Sequence, residues 1–495
     1  MVRPPIACVL SLAALLCACG GSDDGTLDVA FITAEAALFA PGQRLTEAAQ
    51  HVRAATQLGL VARNAQGEIV PGLADRWIVT DDGLSFIFRL RTGTWPDGSE
   101  LTAASARAAL LEAIAGLEGT SMQLDLAPVE EVRAMAGRVV ELRLSGPFPT
   151  LLQLLAQPEL ALSPRHDAEA GTGEMTVRRQ EGGALLALKE PEERGLPEED
   201  GWQEDVRPLH VLALTAEEAL AAFDAGETDA VLGGRIDSLP LVDAGPLSLG
   251  TVRLDPAIGL FGLQVRRGAG LLASAELREA VAMAIDRPAL IAPFDIGGWT
   301  PTTRVVNPGL AGDPGYGIER WTDLPIEELR AEAARRVAAW RAGQEGLAPG
   351  PVPLSLEIDA GPGHELLLRE LAAQLAQIGI ALRRAPEGER GDLVLVDRVA
   401  RYAEPRWFLN QFACPLRRGL CSEEVDLLVA QAAEQRDLAT RATLLAEAEA
   451  QLAAANIYIP LGSPLRWSLV RGDVDGFAPN PWAFHPLPPM AQIAR

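Results

Sequence analysis

The sequence predicts an α/β protein, and three observations predict it. Segments such as Leu84–Arg91 and Val139–Leu144 alternate apolar and polar residues with the two-residue period of a half-buried strand. Segments such as Glu327–Ala342 and His364–Ile378 repeat their apolar residues at helical spacing. The two kinds of segment alternate through both halves of the chain, which is the pattern of strands covered by helices.

Taken in order, the region from Leu27 to about Thr102 is strand-rich. The turn Asp81-Asp82-Gly83 leads into strand Leu84–Arg91, and Trp95-Pro96-Asp97-Gly98 makes a second turn. Thr102 is placed to cap a helix from about Ala103 to Ala115. Gly182–Lys189 and His210–Leu214 read as strands, and Glu217–Ala225 as a helix stopped by Gly226. Glu276–Ile285 is a further helix. Leu354–Ile358 and Leu393–Val396 are short apolar runs of the buried-strand type, and Val425–Gln435 with Leu438–Ala454 form a helix pair.

The chain has 495 residues, 48% of them hydrophobic and 22% charged, enough for two to four domains or lobes with substantial cores. The formal net charge of -24 argues against a general nucleic-acid binder, which needs clustered cations against phosphate. All but Lys189 of the 43 basic residues are arginine.

The start of the chain bears on location. Arg3 precedes an apolar run from Ile6 to Cys17, shorter than the ~20 residues that span a bilayer. This reads as an export signal. The run ends Leu16-Cys17-Ala18-Cys19, followed by the polar stretch Gly20 to Thr26. That ending resembles a bacterial lipobox, which implies residues 1–18 as a signal peptide, lipidation of Cys19 and a lipidated tether over 19–26. Elsewhere no uncharged run reaches 18 residues. Cys414 and Cys421 are then the remaining cysteines, and an isolated pair in an exported chain reads as a disulfide, with a metal site as the alternative.

Motifs of catalysis are missing. The histidines His51, His166, His210, His364 and His485 are scattered, and Leu368 stands where a metalloprotease motif opened by His364-Glu365 needs histidine. There is no Walker loop, dinucleotide fingerprint or nucleophile elbow. No catalytic residue, cofactor or metal is expected.

A series of segments carries the reading further. Gly67-Glu68-Ile69-Val70-Pro71-Gly72-Leu73-Ala74-Asp75-Arg76-Trp77 is followed by Asp82–Arg91, Trp95-Pro96-Asp97-Gly98 and Leu101-Thr102-Ala103. Ala219–Val231, Leu277–Arg287 and Leu371–Ile380 follow, then Tyr402, Glu404-Pro405, Phe408-Leu409-Asn410 and Arg441. In this order they resemble the dipeptide/oligopeptide/nickel class of solute-binding proteins of bacterial ABC importers. Most of these residues have structural roles: Pro71 and Trp77 set a turn and a small core, and Asp286-Arg287 are expected to pair at a helix end.

The resemblance implies a two-lobed periplasmic-binding-protein fold of the class II type, with an interlobe cleft and an extra subdomain in lobe one. Lobe one is expected over 27–253, lobe two over 254–470, and a return to lobe one over 471–495. It implies a monomer that closes on a small-molecule or peptide ligand and serves a membrane permease and its ATPase. A ligand sensor signalling to a membrane receptor, or a secreted hydrolase, are the competing readings. Oligopeptide-binding members carry a Gly-Trp-x-x-Asp stretch before Tyr-x-Glu-Pro, whose aspartate meets the peptide amine. Here the stretch is Asp397-Arg398-Val399-Ala400-Arg401. Arginine only donates hydrogen bonds, so it cannot take up an ammonium group. Arg398 and Arg401 are therefore expected either to meet an anionic or carbonyl-rich ligand or to pair with acidic neighbours, and Trp407 and Trp299 are candidate pocket walls.

Overall fold

The computed structural model describes residues 25–163, 171–242, 251–311, 313, 315, 317–345 and 349–493. The signal segment, Cys19 and His166 lie outside the described residues.

Local signals in the sequence are realised directly. The Thr102 hydroxyl accepts from the Ser105 amide at 3.1 Å, and the Ser105 hydroxyl accepts from the Thr102 amide at 3.0 Å, opening helix Ala103–Ala115 with a reciprocal cap. Helix Ala216–Ala225 ends where Gly226 turns left-handed at φ 79°.

Lobe one is built on a seven-stranded sheet ordered Val252–Leu254, Arg466–Val470, Ala230–Arg235, Leu27–Ile32, Leu209–Leu214, Gly183–Leu188, Met175–Gln180. Leu27–Ile32 runs parallel to both its neighbours, and its Leu27, Val29, Ala30 and Phe31 are buried, as a central strand covered on both faces requires. An antiparallel four-stranded sheet, ordered Ala74–Val79, Ser85–Leu90, Val139–Leu144, Val129–Ala134, forms the extra subdomain. Lobe two is a five-stranded sheet ordered Ile380–Arg384, Val352–Glu357, Leu393–Val399, Gly259–Val265, Tyr458–Gly462. All seven residues of Gly259–Val265 are buried.

The chain crosses between the two large sheets at 255–258 and 463–465. The boundary expected after residue 470 therefore lies earlier. Arg466–Val470 already pairs antiparallel with Ala230–Arg235 and Val252–Leu254, so the two connections run side by side in the lobe-one sheet before they part. Asp286 and Arg287 do not pair with each other. Asp286 caps helix Arg287–Ile291 by accepting from the Ala289 amide at 3.1 Å, while buried Arg287 donates to the Pro460 carbonyl at 2.8 Å.

The lobes meet tightly beside the cleft. Phe148, fully buried, lies 4.2 Å beneath the Arg406 guanidinium and edge-on to Tyr402 at 5.6 Å. Arg441 bonds both Glu404 and the Pro147 carbonyl, and Thr150 donates to Glu404 at 3.2 Å. The Tyr402-x-Glu404 segment is thus a fastening between lobes.

Candidate functional site

A cavity of about 420 Å³ lies between the lobes. Lobe two supplies the C-terminal end of strand Leu393–Val399, the loop after it, Trp407, Gln411 and Arg418. Lobe one supplies helix Glu47–Thr56, the segments around Ser121 and Glu159, Arg235 and the Trp482–Phe484 turn. The ends of sheet strands at a lobe junction are where α/β proteins gather ligands, and the volume suits a small one. In this acidic chain the lining carries six arginines against four carboxylates.

One wall is balanced. Arg401 Nη2 lies 3.0 Å from Glu159 Oε1, and its Nη1 donates to Gln50 Oε1 at 2.6 Å. Arg235 meets Glu47 at 3.0 Å. Arg466, behind the lining, reaches Asp397 of lobe two at 2.7 Å and Glu47 at 3.2 Å. Burial works against charge on Glu47, but Arg466 and Arg235 outweigh it and hold the carboxyl down at about 2. Arg63 pairs with no carboxylate among the described residues but stacks over Trp482 at 4.1 Å and donates to the Gln153 carbonyl at 3.3 Å. Burial, then repulsion by Arg401, pull it down to about 9. His51 Nε2 accepts from the His485 amide at 3.1 Å, and its Nδ1 faces the Glu47 carbonyl at 2.7 Å. That geometry requires a neutral ring, in line with burial lowering it to about 4.

The other wall is not balanced. Arg398 Nη1 donates to Gln411 Oε1 at 3.0 Å, Arg418 Nη1 to the same oxygen at 3.2 Å, and Ser121 Oγ to it at 3.3 Å. Gln411 Nε2 donates to the Trp407 carbonyl at 3.1 Å, which fixes the amide so that its oxygen faces the guanidiniums. Among the described residues no carboxylate forms an ion pair with Arg398 or Arg418. Burial, then repulsion by Arg418 and Arg266, pull Arg398 down to about 10. Arg418 is lowered by burial and by Arg44 and Arg266. Nearby Asp125, which accepts from Asn410 at 2.7 Å, is pushed up to about 7 by burial, with Arg406 only partly offsetting it.

The loop bearing Arg418 is stapled in place. A Cys414–Cys421 disulfide closes it, with Cα atoms 5.2 Å apart. The Leu420 amide bonds the Val265 carbonyl at 2.8 Å. A Cβ on Gly419 would sit 2.6 Å from that carbonyl, so only glycine allows the approach.

Of the residues singled out in the sequence, Arg398, Arg401 and Trp407 line this cavity. Arg401 lines it while paired to Glu159 at 3.0 Å. Trp299 does not line it. Its indole packs on Gly462 and edge-on to Phe261 at 6.4 Å and donates to the Ser463 carbonyl at 2.9 Å, in the apolar cluster of Phe261 and Leu461 rather than that of Trp407. The sequence reading missed Gln50, Glu159, Gln411, Arg44 and Arg418. Arg418 alone carried a signal, since it lies between the two cysteines.

Residues 68–415 match the family model of bacterial extracellular solute-binding proteins, family 5 middle. The chain is 24% identical over 476 residues to di/tripeptide-binding protein 4 of Pseudomonas aeruginosa (strain UCBPP-PA14), covering 85% of this chain and 86% of that one. Its fold is similar to Haemophilus influenzae OppA in complex with the peptide RPPGFSPFR, at a TM-score of 0.80 and 19% identity over 95% of this chain and 100% of that one. It is also similar to the Escherichia coli murein tripeptide binding protein MppA, at a TM-score of 0.78 and 19% identity over 95% and 99% of the two chains. With a family model matched across more than half its length and the two-lobed fold and interlobe cavity in place, the chain belongs to the bacterial extracellular solute-binding proteins of family 5.

Proposed function

We propose that the chain captures a peptide-like or other small polar ligand outside the cytoplasm and delivers it to an ABC importer. Its family is one of solute-binding, non-enzymatic importer components. The observation that carries the ligand reading is the cavity of about 420 Å³ whose polar walls come from both lobes. A ligand there touches both lobes and so favours the closed state over the open one, with the segments 255–258 and 463–465 as the hinge. The closed, loaded form is what a permease and its ATPase would recognise. Lipidation of Cys19 would hold the monomer to the envelope membrane in the periplasm.

The test is native mass spectrometry of the purified chain, followed by thermal melting with pooled di- and tripeptides. A binder stabilises the folded state by mass action, raising the melting temperature with concentration. A copurifying small polar compound, or a concentration-dependent rise, is expected. A chain that copurifies with nothing and melts identically in every pool would overturn the reading.

A further inference from the structure

We infer that Arg398 and Arg418, with Arg44 behind them, form an anion subsite that receives the carboxylate of the ligand, while the ligand's amine is left without a carboxylate partner. The inference rests on the binding reading above and adds the chemical class of the ligand.

The first support is geometric. Two guanidiniums and a hydroxyl converge on one neutral amide oxygen, Gln411 Oε1. Arginine has five donors in a planar fork that matches a carboxylate, and a lone amide oxygen satisfies little of it. An anion at this point would take up donors that now crowd one acceptor.

The second support is electrostatic. Half-buried like charges repel, and the repulsion between Arg398 and Arg418 is offset by no ion-paired carboxylate among the described residues. Chains retain such an arrangement where something else supplies the opposite charge. The neighbouring carboxyl, Asp125, is the group least able to do so, because burial biases it towards its neutral form.

The third support is the contrast with position 401. Arg401, which lines the same cavity, is already matched by Glu159 at 3.0 Å. Glu159 Oε1 is held by Arg401 and Gln50 and its unpartnered Oε2 is buried, so the pair presents no exposed carboxylate oxygen to an ammonium group. Recognition therefore concentrates on the anionic end of the ligand.

The test uses three pools of the same mixed tripeptides: unmodified, C-terminally amidated, and N-acetylated. The wild-type chain is expected to bind the unmodified and N-acetylated pools alike, and the amidated pool about tenfold more weakly, the loss of one charge-assisted contact. In Arg398→Gln/Arg418→Gln the preference for acid over amide is expected to fall towards one. Its ligand-free melting temperature should be unchanged or higher, since repulsion is removed. Arg418→Gln alone should show half the effect if the double variant folds poorly. Equal binding of acid and amide by the wild type, or undiminished preference in the variants, overturns the subsite while leaving the function standing. Failure of all three pools to bind overturns the peptide-like reading. The cluster then stands if the wild type copurifies with an anionic compound that the double variant fails to retain, and falls if it does not.

Discussion

The two walls of the interlobe cavity are made of the same residue type and behave differently. On one wall Arg401, Arg235 and Arg466 each meet a carboxylate at 2.7 to 3.0 Å. On the other, Arg398 and Arg418 share the oxygen of Gln411. On the first wall those three cations have their countercharges without a ligand, and Arg63 is the exception. The second is an open valence. An arginine in a cleft therefore says little about binding until its partners are known.

The largest effect should come from cutting the balanced wall at its base. Arg466 is 3% exposed and holds Asp397 across the lobe junction. Arg466→Ala strands Asp397, leaves Glu47 with Arg235 alone, and should cost about 3–5 kcal/mol in chemical denaturation. It should also flatten the dependence of stability on pH below about 4.5. The Glu47 contribution is present above its ordinary value of 4.5 and lost as pH falls towards about 2, and without Arg466 only the part due to Arg235 remains. A loss under about 1 kcal/mol would break the claim that this wall is structural.

A smaller effect is expected from Glu159→Gln, which unbalances Arg401. Stability should fall by about 1–3 kcal/mol, the range for stranding a buried hydrogen-bonded partner. Binding of an N-succinylated free-acid tripeptide pool should strengthen, because the cavity would then hold unmatched cations at both walls. Unchanged binding would show that the contrast between the walls has no bearing on ligands.

The smallest effect concerns Asp125, which is packed against Arg406, Asn410, Tyr402 and Glu404. Its folded-state carboxyl titrates near 7, above its ordinary value of 3.8. Between these values the native state holds more protons than the unfolded state, so stability falls as pH rises through the window. Asp125→Asn should flatten that slope and gain on the order of 1 kcal/mol at pH 8. An unaltered slope between pH 4 and 7 would sink this assignment.

Much of the fold was readable because its signals are local. The Thr102 cap, the Gly226 stop and the alternation of Val139–Leu144 each act over a few residues, and the structure reproduces them. The cavity was legible only along lobe two, where Arg398, Arg401 and Trp407 sit within one short segment. Their partners were not. Glu159 and Gln50 come from lobe one, more than two hundred residues away along the chain, and nothing in their own neighbourhoods marks them. The lobe boundary was misplaced for a related reason. Strand Arg466–Val470 has the same apolar character in either sheet, and only its pairing with Ala230–Arg235 decides which lobe owns it. Trp299 shows the converse: an aromatic side chain reads alike whether it faces a cleft or packs on an apolar cluster.

The cysteine clasp makes the order of the loop around Arg418 depend on the redox state of its surroundings. Thiols stay reduced in the cytosol and oxidise beyond the inner membrane. Wherever the two thiols stay apart, the loop that carries Arg418 loses its covalent closure and keeps its backbone tie from Leu420 to Val265.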